Sequence, residues 1–397
     1  MFSQREGYTE KEKRNIDILE ILRRRGPISR PEISKEMGIN VVTISNYVDE
    51  FIRRNLVYEK DFDVSEGGRR PVLLELNPQA GFVVGVGLNL TNMVGLLVDL
   101  KGNIVTKTQI ARPRSSAKEI SETVLEIVRE VLARSKGYSP KIKGIGIGIA
   151  GLINKENGSV LWPQKIDGEC TYASVEMPLK DLIEKEFNLP ALIENDATSA
   201  CFGERWIGLG AGFKNVLYMF SGVGCGIMIN GEVYRGAQGY AGEVSISNYK
   251  GDTEFNCQQG NPCFMKRWEM DLGILDEFKK RLSQEKEKTA GSLDLKSVFV
   301  AARAKNDTAL SVLEAAAKRL GIKIAFLVNL LNPEVVIIGG GLEEAGAEFL
   351  NKVNLTVKEW AFKEAGDNLK IIYSQLKENA VAVGAASLLM QEIFSQA

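Results

Sequence analysis

The 397-residue chain contains no histidine. This absence removes Ser-His and Cys-His nucleophilic pairs, histidine general acid–base catalysis and imidazole metal ligands. Any chemistry must then use carboxylates, amides, lysine, arginine, cysteine or the backbone. The chain has five cysteines: Cys170, Cys201, Cys225, Cys257 and Cys263. An odd number in a long chain does not indicate a disulfide framework and favours a reducing compartment.

An amide and a carboxylate stand side by side at Asn195-Asp196. Such a pair suits a polyol, because the two groups together donate and accept hydrogen bonds at vicinal hydroxyls. The alternative interpretation is structural, since Asn and Asp are also favoured residues at the start of a helix. The two roles are compatible in one residue.

A second set of side chains is suited to DNA. A helix predicted from Val41 to Asn55 begins with small, hydroxyl and amide residues, which can reach base edges and phosphates: Val42, Thr43, Ser45, Asn46 and Tyr47. Arg69-Arg70 follow two glycines at the tip of a predicted hairpin, where arginine can enter a narrow minor groove.

The elements around these residues predict a winged helix-turn-helix over residues 1–76. An amphipathic helix spans Glu10 to Arg25, and Ser29 and Glu32 form a capping box for a second, short helix that ends at Gly38. After the third helix, strands are expected at Leu56–Lys60 and Val72–Leu76. The order of short helix, turn, helix and hairpin is typical of DNA binding. The alternative is a helical protein-interaction module with a solvated basic loop.

Residues 77–397 predict an α/β body with two similar lobes. A β-run at Phe82–Leu88 opens a hairpin-plus-strand pattern, and Asn215–Phe220 opens a second copy of it. Paired α/β lobes of this kind bind ligands in the cleft between them.

Several segments resemble the ROK family (repressors, open reading frames and sugar kinases). The segments are Gly146–Gly151, Ile193–Ala197, Gly236–Glu243, Asn332–Gly341 and Val383–Ala386. The N-terminal domain places the resemblance in the branch of xylose and N-acetylglucosamine repressors. It implies a two-lobed, actin-like (ribonuclease-H-like) sugar-kinase fold, with lobes over about 82–196 plus the C-terminal helix, and 197–379.

The same resemblance implies a sugar site. Asn195, Asp196 and Glu243 match residues that bind sugar hydroxyls in the family, and Gly151 matches a position where the backbone approaches the sugar. In a kinase, Asp196 would be the general base.

The phosphate motif departs from the family. Kinases carry a sequence resembling Asp-x-Gly-Gly-Thr, and here Gly87 replaces the aspartate while Asn89 and Leu90 replace the two glycines. In a second phosphate loop Val223 stands where kinases usually have threonine. Without its carboxylate and open backbone, the loop should hold neither Mg²⁺ nor a polyphosphate well. We therefore expect no catalytic residue and no phosphotransfer.

The zinc motif of the family also departs. Its histidine is replaced by Ile246, and its cysteine-rich loop keeps Cys257 and Cys263 but has Gln259 for a third cysteine. Two thiolates make a poor structural zinc site. We expect no metal and no cofactor.

These patterns together predict a transcriptional repressor of carbohydrate-utilisation genes. Its expected partners are operator DNA, a sugar or polyol effector, and a second copy of itself in a homodimer or tetramer. The 50 basic and 51 acidic residues nearly cancel, so DNA contact must depend on local charge. The chain lacks a membrane-spanning run and a signal peptide, which favours the cytoplasm. The alternatives are a sugar or amino-sugar kinase with an added DNA-binding domain, such as a glucokinase or N-acetylglucosamine kinase, and a scaffold that binds neither.

Overall fold

A computed structural model describes most of the chain. The described residues are 7–60, 72–89, 91–113, 116–165, 172–209, 212–221, 224–244, 273–284 and 293–397.

The N-terminal part has the order of helices and strands that the sequence predicted for a winged helix-turn-helix. Three helices, α1 (Glu10–Arg25), α2 (Arg30–Met37) and α3 (Val41–Arg53), precede a hairpin. The hairpin strands β2 (Val57–Lys60) and β3 (Leu73–Leu76) join the two-residue strand β1 (Ile28–Ser29) in the order β1-β3-β2. Sequence patterns missed β1, and α3 ends two residues before the expected Asn55. The predicted wing residues Arg69 and Arg70 lie outside the described residues.

Local side-chain contacts determine where these helices begin and end. The Glu32 carboxylate accepts hydrogen bonds from the backbone N–H and the hydroxyl of Ser29, at 2.9 and 2.6 Å. Gly38 ends α2 with a φ of 66°, a left-handed conformation that glycine adopts without steric penalty. The Asn40 side chain accepts from the Val42 N–H at 2.8 Å and starts α3.

The first lobe is built on a five-stranded sheet. Its strands are β4 (Phe82–Leu88), β5 (Asn92–Asp99), β6 (Ile104–Ala111), β7 (Ile142–Ile149) and β11 (Ala191–Asn195), in the order β11-β7-β4-β5-β6. Helices α4 (Ala117–Arg134) and α5 (Leu179–Phe187) belong to this lobe. A small antiparallel sheet of β8 (Leu152–Ile153), β9 (Val160–Lys165) and β10 (Tyr172–Met177) follows β7.

The second lobe repeats this topology. Its strands β12 (Val216–Phe220), β13 (Gly224–Ile229), β14 (Glu232–Val233), β15 (Val335–Gly339) and β16 (Lys370–Tyr373) have the order β14-β13-β12-β15-β16. In both sheets the first three strands are antiparallel and the last two are parallel to the first. The helices of this lobe are α7 (Ile274–Gln284), α8 (Leu295–Arg303), α9 (Asp307–Leu331), α10 (Ala347–Trp360) and α11 (Lys363–Gly366). The predicted two-lobed, actin-like fold is confirmed.

Two buried helices lie between the sheets. They are α6 (Asp196–Gly203), which continues into a π-helical turn Glu204–Gly208, and α12 (Ala380–Ser395). Glycines on the strands let α12 approach closely: a Cβ on Gly146 of β7 would lie 2.2 Å from the Ala385 carbonyl oxygen. The C-terminal helix therefore packs on the first lobe.

The N-terminal domain, called the head below (described residues 7–60 and 72–76), packs against α12 through α1. The Asn15 side chain is buried and donates to the carbonyl oxygen of Ser395 at 3.0 Å and to an oxygen of Ala397 at 2.7 Å. Leu22 of α1 and Phe394 of α12 belong to one continuous hydrophobic core. In the part of the chain that the structure describes, no helix is long and apolar enough to cross a membrane.

Candidate effector site and DNA-binding face

Asn195 lies where β11 ends and α6 begins. Its Oδ1 accepts hydrogen bonds from the backbone N–H groups of Ala197 and Thr198, at 3.0 and 3.2 Å, so the helix-capping interpretation is confirmed. The amide nitrogen lies 3.5 Å from the Gly151 carbonyl oxygen. Gly151 has a φ of 113°, and a Cβ there would lie 2.9 Å from the Leu161 carbonyl oxygen, so only glycine fits. The two predicted effector residues are thus neighbours in space.

Asp196 is the first residue of α6 and is only 7% exposed. Burial raises the pKa of its carboxyl to about 6. A hydrogen bond from the Ala197 N–H at 2.7 Å and the positive charge of Arg112 act in the opposite direction. The carboxyl therefore changes protonation state near neutral pH.

Arg112 is a part of this site that sequence patterns missed. It follows β6, and its Nη1 donates to the Asn89 carbonyl oxygen at 2.8 Å. Burial lowers the pKa of the guanidinium, and the charge of Asp196 raises it. The sequence signal was slight, because Arg112 belongs to no recognisable motif and lies 84 positions before Asp196.

Glu243 reaches the site from a loop of the second lobe. The loop is held against β13 because the Cys225 N–H donates to the Gly242 carbonyl oxygen at 2.9 Å. Gly242 has a φ of 98°, and a Cβ there would lie 1.9 Å from the Cys225 carbonyl oxygen. Loss of hydration by the carboxyl and the negative charge of Asp196 raise the pKa of Glu243 to about 7. The residue as a whole is still exposed to solvent. The two carboxyls therefore interact across the cleft.

A buried ion pair fixes the relative positions of these residues. Glu194 is 4% exposed, and its carboxylate accepts from the Arg235 Nε at 2.7 Å and from the Asn195 N–H at 2.9 Å. Arg235 precedes the loop that carries Glu243, so the pair connects that loop to the end of β11. Neither Glu194 nor Arg235 was singled out in the sequence.

The phosphate side of the cleft differs from an open glycine loop. The Asn89 amide donates to the Asn92 side chain at 3.0 Å and to the Glu378 carbonyl oxygen at 2.9 Å. A Cβ on Gly87 would lie 2.5 Å from the Ala382 backbone nitrogen in α12. The narrow cavity beside Asn89 is lined by one cation, Lys296, and by three glutamates, Glu343, Glu344 and Glu378, so its net negative charge disfavours a polyphosphate.

The predicted DNA-reading residues lie at the N-terminal half of α3. Val42 is 68% exposed and Asn46 is also exposed, whereas Thr43 and Tyr47 are half-buried. The Tyr47 ring lies 6.4 Å from that of Phe51, so part of it packs against the core of the head. The Ser45 hydroxyl donates to the Val41 carbonyl oxygen at 2.9 Å, so in this arrangement its oxygen can accept a hydrogen bond from a base but cannot donate to a phosphate.

The predicted absence of zinc is not tested by this geometry. Ile246, Cys257, Gln259 and Cys263 lie outside the described residues. Among the residues that are described, no three His, Cys, Asp or Glu side chains are placed to hold a metal ion. That the protein binds no zinc stays a prediction from the sequence.

The fold and the cleft define a class: an N-terminal helical domain of the DNA-binding type joined to a sugar-kinase fold whose phosphate motif is altered. The chain belongs to the ROK family, whose sequence pattern matches residues 83–392. It is 31% identical to the xylose repressor of Caldicellulosiruptor bescii over 93% of each chain. A glucokinase of Halalkalibacterium halodurans is 30% identical but matches only 78% of this chain, with 95% of its own length covered.

A solved structure shares the whole architecture. The ROK transcriptional regulator homologous to the E. coli MLC protein superposes with a TM-score of 0.73 over 97% of each chain, at 23% identity. The repressor relatives match the head as well as the body. The prediction of a DNA-binding transcriptional repressor of sugar utilisation is confirmed, and the kinase alternative is the less supported of the two.

Restoring the aspartate and the first glycine of the kinase motif should not produce kinase activity. In Gly87→Asp/Asn89→Gly, the new Cβ at position 87 has no room beside Ala382, so we expect a loss of about 1–3 kcal/mol in unfolding free energy. We also expect no ADP release with ATP and glucose or xylose. Urea unfolding and a coupled ADP assay measure both. Gly137→Ala is the control, since a Cβ there meets no atom within 4 Å. Sugar-dependent ADP release from a stable double variant would contradict this prediction.

The raised pKa of Asp196 predicts how stability depends on pH. Because the folded-state pKa of about 6 exceeds the ordinary value of 3.8, the native state binds more protons, and stability falls as pH rises from 4 to 6. Asp196→Asn removes this titration, so the variant should exceed the wild type by about 1–3 kcal/mol at pH 7.5. The difference should vanish near pH 4. Urea unfolding at several pH values measures it, with the exposed Asp276→Asn as control. A constant difference across the pH range would refute the assignment.

Proposed function

We propose that a sugar of the xylose class binds in the cleft at Asn195, Asp196, Glu243 and the Gly151 backbone, and releases the protein from its operator. The single observation that carries this proposal is the convergence of these groups in the cleft. They offer donors and acceptors for a polyol, whereas Asn89 and three glutamates line the phosphate side. Two relatives named xylose repressors, 31% and 28% identical to this chain, support xylose as the first compound to test.

The effector would act by closing the cleft. Asn195 and Asp196 belong to the first lobe's edge, whereas Glu243 comes from the second lobe, so a sugar bound to all three favours the closed arrangement. A ligand shifts a two-state equilibrium by its differential affinity for the two states. The closed state would hold the heads in an orientation that does not fit DNA.

We further propose that the protein acts as a homodimer, because paired recognition helices read pseudo-palindromic operators. An exposed apolar surface at the end of α9 and α10 supports this. It consists of Phe326, Leu330, Leu355, Trp360 and Phe362, each more than 40% exposed. The Phe362 N–H donates to the Asn329 side chain at 2.8 Å, so the two helix ends are adjacent. Five large exposed apolar side chains at adjacent helix ends favour a second copy as the partner of this surface.

Operator binding with and without sugar tests the effector proposal. With DNA from the region upstream of the gene, at fixed salt, we expect D-xylose to weaken binding at least tenfold. Glu243→Gln should abolish this response and leave sugar-free operator affinity within threefold, since it alters only the cleft. Glu156→Gln, an exposed loop residue, should respond as the wild type does. Fluorescence anisotropy measures each affinity, and glucose and N-acetylglucosamine provide the comparison. If none of the three sugars changes the operator affinity of the wild type, the proposal is overturned.

Charged substitutions in the exposed apolar surface test whether it forms the dimer interface. Leu330→Glu and Phe362→Glu place a carboxylate in the apolar surface, so we expect each to give monomers where the wild type sediments as a dimer. The operator affinity of these monomers should fall at least tenfold. Val300→Glu is the control, because Val300 is 55% exposed on α8, which precedes the opposite end of α9. Dimers in both patch variants, measured by analytical ultracentrifugation, would rule this surface out.

A further inference from the structure

The path from the cleft to the DNA-binding head is short. Helix α6 begins at the cleft residues Asn195 and Asp196, and all eight of its residues are buried. A helix of this length spans about 12 Å and moves as one unit. It ends at Gly203, where the π-helical turn Glu204–Gly208 begins. The turn therefore lies one short rigid helix away from the effector site.

The turn contacts the head directly. The Arg205 Nη1 lies 2.8 Å from a carboxylate oxygen of Glu20 in α1. The Arg23 guanidinium, also in α1, donates to the Trp206 carbonyl oxygen at 2.6 Å and lies 4.9 Å from the centre of the Trp206 ring. These contacts join α1, the first helix of the winged domain, to the end of α6.

The same turn also contacts the second lobe. The Glu204 carboxylate accepts from the Ser374 hydroxyl at 2.6 Å and from the Leu376 N–H at 2.9 Å. The Trp206 ring stacks on Phe202 of α6 with centroids 5.1 Å apart. Head, second lobe and cleft helix thus meet at five residues.

The hydrogen bonding of this turn is incomplete in the present arrangement. Four buried polar atoms have no hydrogen-bond partner among the described residues. Three belong to the turn (Glu204 Oε2, Arg205 Nε and Trp206 Nε1), and the fourth is Arg23 Nε of α1, which contacts the turn. A buried polar atom without a partner raises the free energy of the state that contains it. The π-helical form is itself rare and occurs mainly as single turns at functional positions. Both features lower the barrier to a second arrangement.

Helix α6 is in close contact with α12. A Cβ on Gly384 of α12 would lie 1.7 Å from the Ser199 carbonyl oxygen of α6, so the helices meet through backbone atoms. A displacement of α6 is therefore also felt by α12, which packs on α1 of the N-terminal domain.

From these contacts we infer that the turn Glu204–Gly208 is the joint that transmits sugar binding to the DNA-binding head, with Arg205 and Trp206 as positioning residues. The inference rests on the proposed function. Cleft closure displaces the start of α6, the helix carries the displacement to the turn, and the Arg205–Glu20 and Trp206–Arg23 contacts reorient α1. The joint contributes to neither sugar binding nor base contact.

A double-mutant cycle tests the joint. For the wild type, Glu20→Gln, Arg205→Gln and the double variant, operator affinity is measured with and without saturating D-xylose, and xylose affinity is measured by calorimetry without DNA. We expect the xylose-induced drop in operator affinity to shrink at least fivefold in each variant, and the two substitutions to be non-additive. Xylose affinity should stay within threefold. Arg129→Gln, which breaks the surface pair with Glu186, is the control and should retain the full response.

The outcomes separate the two proposals. A wild type that ignores xylose and the other sugars overturns the proposed function, and this inference with it. A wild type that responds, with variants that respond equally, overturns the joint alone. If a variant does not fold, hydrogen exchange on the wild type provides the second measurement. Operator binding should change the exchange of amides 204–208 at least threefold, and unchanged exchange there would overturn the joint.

Discussion

Backbone-to-backbone packing of two central helices is the constraint on which the body of this protein depends. Helix α6 meets α12 where Gly384 faces the Ser199 carbonyl, and α6 meets β13 where a Cβ on Gly226 would lie 2.2 Å from the Ala197 carbonyl oxygen. Larger residues at these positions would separate the lobes. Because the helices are held this closely, the cleft residues at the start of α6 and the head contacts at its end have fixed relative positions.

The cleft has two halves with opposite chemical character. On the sugar side, Asp196 and Glu243 are carboxyls with raised pKa values, accompanied by the guanidinium of Arg112. On the phosphate side, the Asn89 amide occupies the motif position of a kinase glycine and bonds to the chain itself. The groups proposed to bind hydroxyls and the altered phosphate motif are therefore separate parts of the cleft.

Sequence patterns predicted what local interactions determine. The capping contact of Ser29 and Glu32, the start of α3 at Asn40 and the left-handed Gly38 each involve residues within a few positions of one another. The repeated order of strands followed from the two hairpin patterns. The family resemblance added Glu243, which no local pattern would have connected to Asp196.

Long-range contacts were beyond those patterns. The Glu194–Arg235 pair joins residues 41 positions apart, and the Arg205–Glu20 contact joins residues 185 positions apart. Their charges look like ordinary solvated residues in the sequence, because only the folded arrangement buries them. The strand β1 has two residues and thus no periodicity, and the π-helical turn has no known sequence signature. The sequence therefore predicted which side chains make up the candidate site. It did not predict the contacts that connect this site to the head.

The packing at Gly87 also limits which substitutions this chain can accept one at a time. A side chain at position 87 would need space that the backbone of α12 at Ala382 occupies. The effect of a substitution at position 87 should therefore depend on the position of α12, so changes in the strand and in the helix would have to be made together.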